Sequence, residues 1–208
     1  MDTQPPGLWR TLSRREVCRT PRIAVFSESV QLPNGRVVDD YDQFEMGAFA
    51  IVVAETTDHR TICERQYKHG VRQVILTLPG GQLEASETPL AAAQRELLEE
   101  TGYASCEWTA LGSFRTNCNQ GGATVHYFHA RSSRQVQAPA SGDLEDMTIE
   151  LLPRAELIAA IGRRDFQVVT DIAAMCLALL PGVRVSGSSS ENDAAERPTA
   201  SGPSVSWL

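Results

Sequence analysis

Along the 208 residues the apolar positions fall into short blocks separated by turn formers, which predicts strands for most of the first half. Alternating runs at 22–32 (RIAVFSESVQL) and 36–44 (RVVDDYDQF) flank Pro33-Asn34-Gly35, a pattern that predicts a β-hairpin turning at Asn-Gly. From Ala48 to Thr57 nearly every position is apolar, as in a strand buried on both faces. That run turns at Asp58-His59 into ICERQYKHG, and Val74 to Gly81 (VILTLPGG) predicts a strand entering a glycine loop. The pattern then changes period. Thr88 is placed to cap a helix with Pro89 at its first position, LAAAQRELLEET consists largely of good helix formers, and Gly102 suits a left-handed C-terminal residue. Strand-like segments follow at EWTALGSF, ATVHYFHARS and MTIELL, then two short helices at PRAELIAAIG and VVTDIAAMCLALL. The order predicts an α/β domain with a mixed sheet. Its divisions are an N-terminal strand arm (1–45), the domain (46–183) and a tail (184–208). The tail is rich in Ser, Gly, Pro and Ala, with too few apolar residues to pack, and is expected to be disordered.

Composition narrows the function. Apolar residues make up 42% of the chain, with no apolar run of the roughly 18–20 residues that a membrane helix needs. The first thirty residues carry no apolar signal core, so the cytoplasm is the expected compartment. A net charge of -7 with no basic cluster argues against nucleic acid as a partner. The five cysteines are odd in number and irregularly spaced, which argues against a disulfide framework. His126 and His129 lie on a predicted strand, where three-residue spacing puts them on opposite faces and disfavours a shared zinc.

The charge is concentrated. Between Gly81 and Tyr103 stand five glutamates and one arginine. Glu96, Glu99 and Glu100 have the i, i+3, i+4 spacing that puts three carboxylates on one face of a regular helix, at its partially negative end. A solvated acidic face is the ordinary reading of such a cluster, whereas a hard divalent cation, Mg²⁺ or Mn²⁺, would relieve its repulsion. The surrounding residues favour the cation. Gly81, Glu87, Arg95, Glu96, Leu97, Glu99, Glu100, Gly102 and Tyr103 fit G-x5-E-x7-R-E-U-x-E-E-x-G-U (U apolar or aromatic), a chance match on the order of 10⁻⁷ at ordinary residue frequencies. This segment resembles the signature box of the Nudix hydrolase superfamily, with Tyr103 where an aliphatic residue is more usual. The resemblance implies an α/β/α sandwich that uses a divalent metal to hydrolyse a nucleoside diphosphate linked to another group. It implies metal ligation by Glu96, Glu100, Glu99 and the Gly80 carbonyl, with Arg95 orienting the carboxylates and Glu87 supporting the loop.

Beyond the box, ERQYKHG followed by TLPGG is similar to segments of ADP-ribose and ADP-sugar pyrophosphatases. That likeness implies a homodimer built through the N-terminal hairpin, with a composite active site. Lys68 falls where a cation would meet a substrate phosphate, with a surface lysine as the equal alternative; Arg65 and Phe26 are further substrate-binding candidates, and the N-terminal strands, through Phe26 or Tyr41, are candidates to stack on the base. A general base is expected on the acidic loop GDLEDMTIELL, with Glu145 as first candidate and Asp143 and Asp146 as rivals. Two positions depart from that subfamily: Cys118-Asn119 stands where a proline is usual, and Thr77 where an acid is common. A nucleoside triphosphate pyrophosphohydrolase therefore remains an alternative. A non-catalytic nucleotide sensor is disfavoured, because no box carboxylate is lost and no DNA-binding helix pair is evident.

Overall fold

Three antiparallel strands, β1 (Arg10–Arg19), β2 (Ile23–Gln31) and β3 (Val37–Met46), open the computed structural model, which describes residues 7–140 and 146–180. The expected hairpin is β2–β3, but its loop has three residues rather than two. Leu32 N–H donates to the Arg36 carbonyl at 2.8 Å, and of the loop residues only Gly35 takes a positive φ, 84°. Pro33 has no N–H with which to close a two-residue Asn34-Gly35 turn against Arg36, so Leu32 closes the loop instead and glycine takes its left-handed position. β1 is an additional strand. All ten of its residues are exposed, so it lacks the apolar alternation by which a strand is recognised and is held by its ladder to β2.

The domain proper begins with β4 (Phe49–Thr56), continues through β5 (Arg60–Lys68) and β6 (Gln73–Thr77), and reaches the short β7 (Gly80–Gln82). Helix α1 (Pro89–Glu96) runs into a π-helical turn (Leu97–Thr101), followed by β8 (Tyr103–Ala104), β9 (Glu107–Asn117), β10 (Gly121–Gln135) and β11 (Met147–Pro153). Helices α2 (Arg154–Gly162) and α3 (Val169–Leu179) close the described chain. The glycine segment expected as a loop is thus partly a strand, β7, paired antiparallel with β4. β10 lies parallel to β3 and β4 and antiparallel to β9, while β5 is antiparallel to β6 and β11. The described strands join in one mixed sheet.

β4 shows why the sheet is covered on both sides. Ala50, Val52 and Ala54 pack with Ala92, Ala93 and Leu97 of the α1 segment. Ile51 and Val53, pointing the other way, pack with Leu157, Ala160, Ala174 and Met175 of α2 and α3. One helical segment therefore lies on one face and two helices on the other, which is the expected sandwich. Alanines on both sides of the α1 contact let helix and sheet approach closely, and this brings the glutamates of that segment down onto β4 and β7.

Candidate active site

Helix α1 starts as its sequence predicts: Thr88 Oγ1 accepts a hydrogen bond from Ala91 N–H at 3.2 Å, with Pro89 at the first position. It ends differently from the regular helix expected. Residues 97–101 form a π-turn, closed where Gly102 at φ 75° donates to the Leu98 carbonyl at 2.9 Å. The wider turn separates the three glutamates that an unbroken α-helix would align. Glu100 turns inward and is buried, Glu96 is mostly covered with its side chain 13% exposed, and Glu99 projects outward at 49%.

Two backbone positions receive the inner carboxylates. Gly80 N–H donates to Glu100 Oε2 at 2.8 Å. A Cβ on Gly81 would lie 2.2 Å from Glu96 Oε1, and one on Gly80 would lie 2.3 Å from the Ala50 carbonyl oxygen. Glycine is required at Gly80, where strand backbone already occupies the space of a side chain, while at Gly81 that space is filled by the movable end of Glu96.

Arg95 organises the outer half of the cluster. Its Nε and Nη2 donate to the two oxygens of Glu87, each at 2.9 Å. Nη1 donates to Glu96 at 2.8 Å and to Glu99 at 3.3 Å, and Nη2 also reaches the Gln82 carbonyl at 3.1 Å. Glu87 in turn accepts from Glu84 N–H at 3.0 Å, which fastens the loop before the helix. The guanidinium holds the Glu87 carboxyl below the usual carboxylate range.

Beneath Glu100 lies a group of which the sequence singled out only Thr77, as a departure. Glu64, on β5 opposite Thr77 on β6, is only 1% exposed. Its Oε2 accepts from Gln66 Nε2 at 3.1 Å and from Thr77 Oγ1 at 3.4 Å, and Gln66 Nε2 also donates to Thr77 Oγ1 at 2.9 Å. The Glu64 and Glu100 carboxyl groups lie within hydrogen-bonding reach of each other. Burial holds both well above the usual carboxylate range, and the neighbouring Glu64 charge drives Glu100 further up. Asp171, buried in the first turn of α3, accepts from Leu78 N–H at 3.1 Å and so ties α3 to the segment leading into Gly80. Burial pushes its carboxyl up to about 7, against the pull of that hydrogen bond.

The remaining candidates are dispersed. Lys68 is half-buried at the end of β5, and its charge favours the ionised forms of Glu64 and Asp171. It has no ion-pair partner among the described residues. Arg65 belongs to the other face of β5, where it is engaged in a bidentate pair with Glu150. Phe26, on β2, lies under the Arg14 guanidinium, 3.6 Å from its ring centroid. Tyr41 donates to the Asn119 carbonyl at 2.8 Å, joining the arm to the loop where the usual proline is missing. Glu145 and Asp143 lie outside the described residues, as does the tail, while Asp146 is exposed. His126 and His129 have separate partners, Ser113 and Glu55, each at 2.7 Å.

In this side-chain arrangement no three acidic, histidine or cysteine residues among those described form a closed metal shell. The donor chemistry still fits a hard divalent cation. Glu96 and Glu100 are carboxylates set against the Gly80–Gly81 backbone, and Glu64 Oε1 beside them is a buried acceptor with no hydrogen-bond donor. Two surface clefts, of about 670 and 400 Å³, are lined by none of these carboxylates.

Comparison with known proteins shows the family of the chain. The NUDIX domain model matches residues 45–171. The chain is 30% identical over 143 residues to the ADP-ribose pyrophosphatase of Bacillus subtilis (strain 168), covering 69% of this chain and 76% of that one. It is 29% identical over 143 residues to the methanol dehydrogenase activator of Bacillus methanolicus, with the same coverage. A solved structure described as an ADP compounds hydrolase superposes with a TM-score of 0.73 at 20% identity, covering 84% of this chain and 94% of that one, and shows a common fold.

Proposed function

Because the chain belongs to the NUDIX domain family, we propose that it hydrolyses the pyrophosphate bond of ADP-ribose or a nucleoside diphosphate sugar, releasing a nucleoside monophosphate and a sugar phosphate. The observation that carries this reading is the Arg95 clamp, which holds Glu96 beside Gly81 while Glu100 is fixed on Gly80 N–H. These are the carboxylates that the box resemblance assigns to the metal.

Glu96, Glu100 and the Gly80 carbonyl would hold Mg²⁺ or Mn²⁺, with Glu99 as an outer ligand. When bound, the ion neutralises the diphosphate oxygens and lowers the pKa of attacking water. The chain's own residues supply the rest. Arg95 keeps Glu96 from rotating away, and Glu87 anchors Arg95 to the loop. Lys68, without an ion-pair partner among the described residues, supplies a cation for a substrate phosphate. Arg65 is committed to Glu150, so its contribution in this reading is to the β5–β11 pairing. Glu145 is assigned the proton from water on sequence grounds. The exposed β1 strand carries Trp9, Leu12 and Val17 on its exposed surface or just before it, and we assign it to the contact between two copies, where Phe26 or Tyr41 would meet the base. Five unpaired thiols suit a reducing cytoplasm.

The test is a hydrolysis screen with Mg²⁺ and Mn²⁺ across ADP-ribose, ADP- and GDP-sugars and nucleoside triphosphates. AMP and ribose phosphate from ADP-ribose are the expected products, with turnover lost in Glu96→Gln and Glu100→Gln. Turnover of triphosphates alone, with inorganic pyrophosphate released, would replace this reading by the triphosphate one.

A further inference from the structure

We infer that Glu64 is a further carboxylate of the divalent-cation site, entering it from β5 underneath Glu100. The inference rests on the metal-dependent reading above and adds a residue to it.

Glu64 is 1% exposed, yet its surroundings satisfy only half of its carboxyl group. Oε2 is held by Gln66 Nε2 and Thr77 Oγ1 at 3.1 and 3.4 Å, both neutral donors from the paired strands β5 and β6. Oε1 has no hydrogen-bond partner, and neither has the buried Oε1 of Gln66 two residues along the same face of β5. Two hard oxygen acceptors are therefore buried side by side without a donor. Leaving such groups unsatisfied is destabilising, and more so when the group is charged.

The neighbour of Glu64 is Glu100, itself an acceptor already bound to Gly80 N–H at 2.8 Å. Apposed acids must either hold a proton or have something positive beside them, and among the described residues the side-chain cations nearby are poorly suited. Arg95 is taken up by Glu87, Glu96, Glu99 and the Gln82 carbonyl, and Lys68 stands two strand repeats along β5 from Glu64. A divalent ion held by Glu96 and Glu100 would supply the missing charge. Glu64 would act on it directly or through one water, with Gln66 and Thr77 fixing the orientation of its carboxyl group. Residues that orient or support metal ligands in this way typically contribute about 10–100-fold to affinity.

The experiment titrates Mn²⁺ into the full chain by calorimetry and by loss of the free-ion EPR signal, for wild type, Glu64→Gln and, as reference, Glu96→Gln. Melting temperatures are recorded with and without Mn²⁺. Glu64→Gln keeps the volume and the Oε2-type acceptor but removes the charge. Its Mn²⁺ affinity should fall tenfold or more, and its melting temperature without metal should not fall, because a neutral amide replaces a buried acid that has no use there without the cation. The Mn²⁺-induced rise in melting temperature should shrink accordingly. Affinity within twofold of wild type overturns the inference and leaves the family reading intact, as does a lower metal-free melting temperature with an unchanged Mn²⁺-induced rise. If wild type binds no Mn²⁺, both readings fail. Should Glu64→Gln not fold, Glu64→Asp, which keeps the charge and withdraws it by one methylene, should weaken Mn²⁺ binding severalfold; unchanged binding there also overturns the inference.

Discussion

Replacing Arg95 tests the arrangement most directly, because five hydrogen bonds converge on one guanidinium. Arg95→Ala removes all of them. The bond to Glu99 reaches a side chain 49% exposed, and an exposed pair of this kind contributes only about 0–1 kcal/mol. The bonds to Glu87 and Glu96 matter more, since those side chains are 14% and 13% exposed and Arg95 itself is 23% exposed. Breaking a fully buried pair by removing one partner costs about 3–5 kcal/mol, and residual water at this site places the expected loss near the lower end, about 3 kcal/mol. Arg95→Lys keeps the charge but cannot serve both Glu87 oxygens and Glu96 together, so it should lose about half of that.

Urea denaturation of the metal-free protein at pH 7 measures both losses, and a double-mutant cycle with Glu87→Gln isolates the bidentate pair, with an expected coupling of about 2 kcal/mol. The pH dependence has a definite sign. The folded-state pKa of Glu87 is depressed by Arg95, so its contribution is present above the ordinary carboxylate pKa and is lost as pH falls through the folded value. The gap between wild type and Arg95→Ala should therefore narrow below about pH 4. A loss under about 0.5 kcal/mol for Arg95→Ala, or no coupling with Glu87, would show that the clamp does not hold the site together.

The two glycines should respond oppositely to alanine. At Gly81 the new Cβ meets the Glu96 carboxylate at 2.2 Å, which can swing away, so Gly81→Ala should melt near wild type while losing activity tenfold or more. At Gly80 the clash is with the Ala50 backbone at 2.3 Å, so Gly80→Ala should lose about 1–3 kcal/mol in urea melts; equal stability of the two variants would contradict the assigned packing. Asp171→Ala strands the buried Leu78 N–H and should cost about 1–3 kcal/mol, most of it recovered in Asp171→Asn. Because the folded pKa of Asp171 is raised to about 7, its contribution is full below the unfolded carboxylate value and lost as pH rises through about 7. Thermal melts of metal-free protein from pH 4 to 8 should thus decline, and Asp171→Asn should flatten the decline; an identical slope would remove Asp171 from it.

The elements legible in the sequence were those whose signal is local. β4 announced itself by an unbroken apolar run, and α1 by Thr88, Pro89 and a stretch of helix formers, because each needs only its own residues to be recognised. β1 was not legible, since a fully exposed strand held by ladder hydrogen bonds leaves no apolar period to read. The π-turn at 97–101 escaped for a different reason. LLEET is as good a helical sequence as the turn before it, and the insertion is expressed in the burial of Leu97 and Thr101, the bond from Thr101 Oγ1 to the Leu97 carbonyl at 2.5 Å, and the Gly102 closure.

The same distinction divides the site. Arg95, Glu96, Glu99 and Glu100 share one segment with a fixed spacing, so their association could be read from the chain, although the π-turn sends Glu100 inward and Glu99 outward. Glu64, Gln66 and Asp171 join them only through tertiary structure. Glu64 meets Thr77 because of the β5–β6 register, and Asp171 meets Leu78 because α3 returns across the sheet ninety-three residues later. No local signal marked Glu64: it opens the polar run Glu64-Arg65-Gln66, and its burial follows only from the pairing of β5 with β6. Thr77 completes that pairing. In the position before Leu78 it contributes no charge, only a hydroxyl spent on Gln66 and Glu64, so the negative charge at this point of the β5–β6 pair comes from β5 alone. A cation held by Glu96, Glu100 and the Gly80 carbonyl would then have the Glu64 carboxyl close to Glu100, and the departure at Thr77 and the buried acid at Glu64 become two sides of one strand pairing.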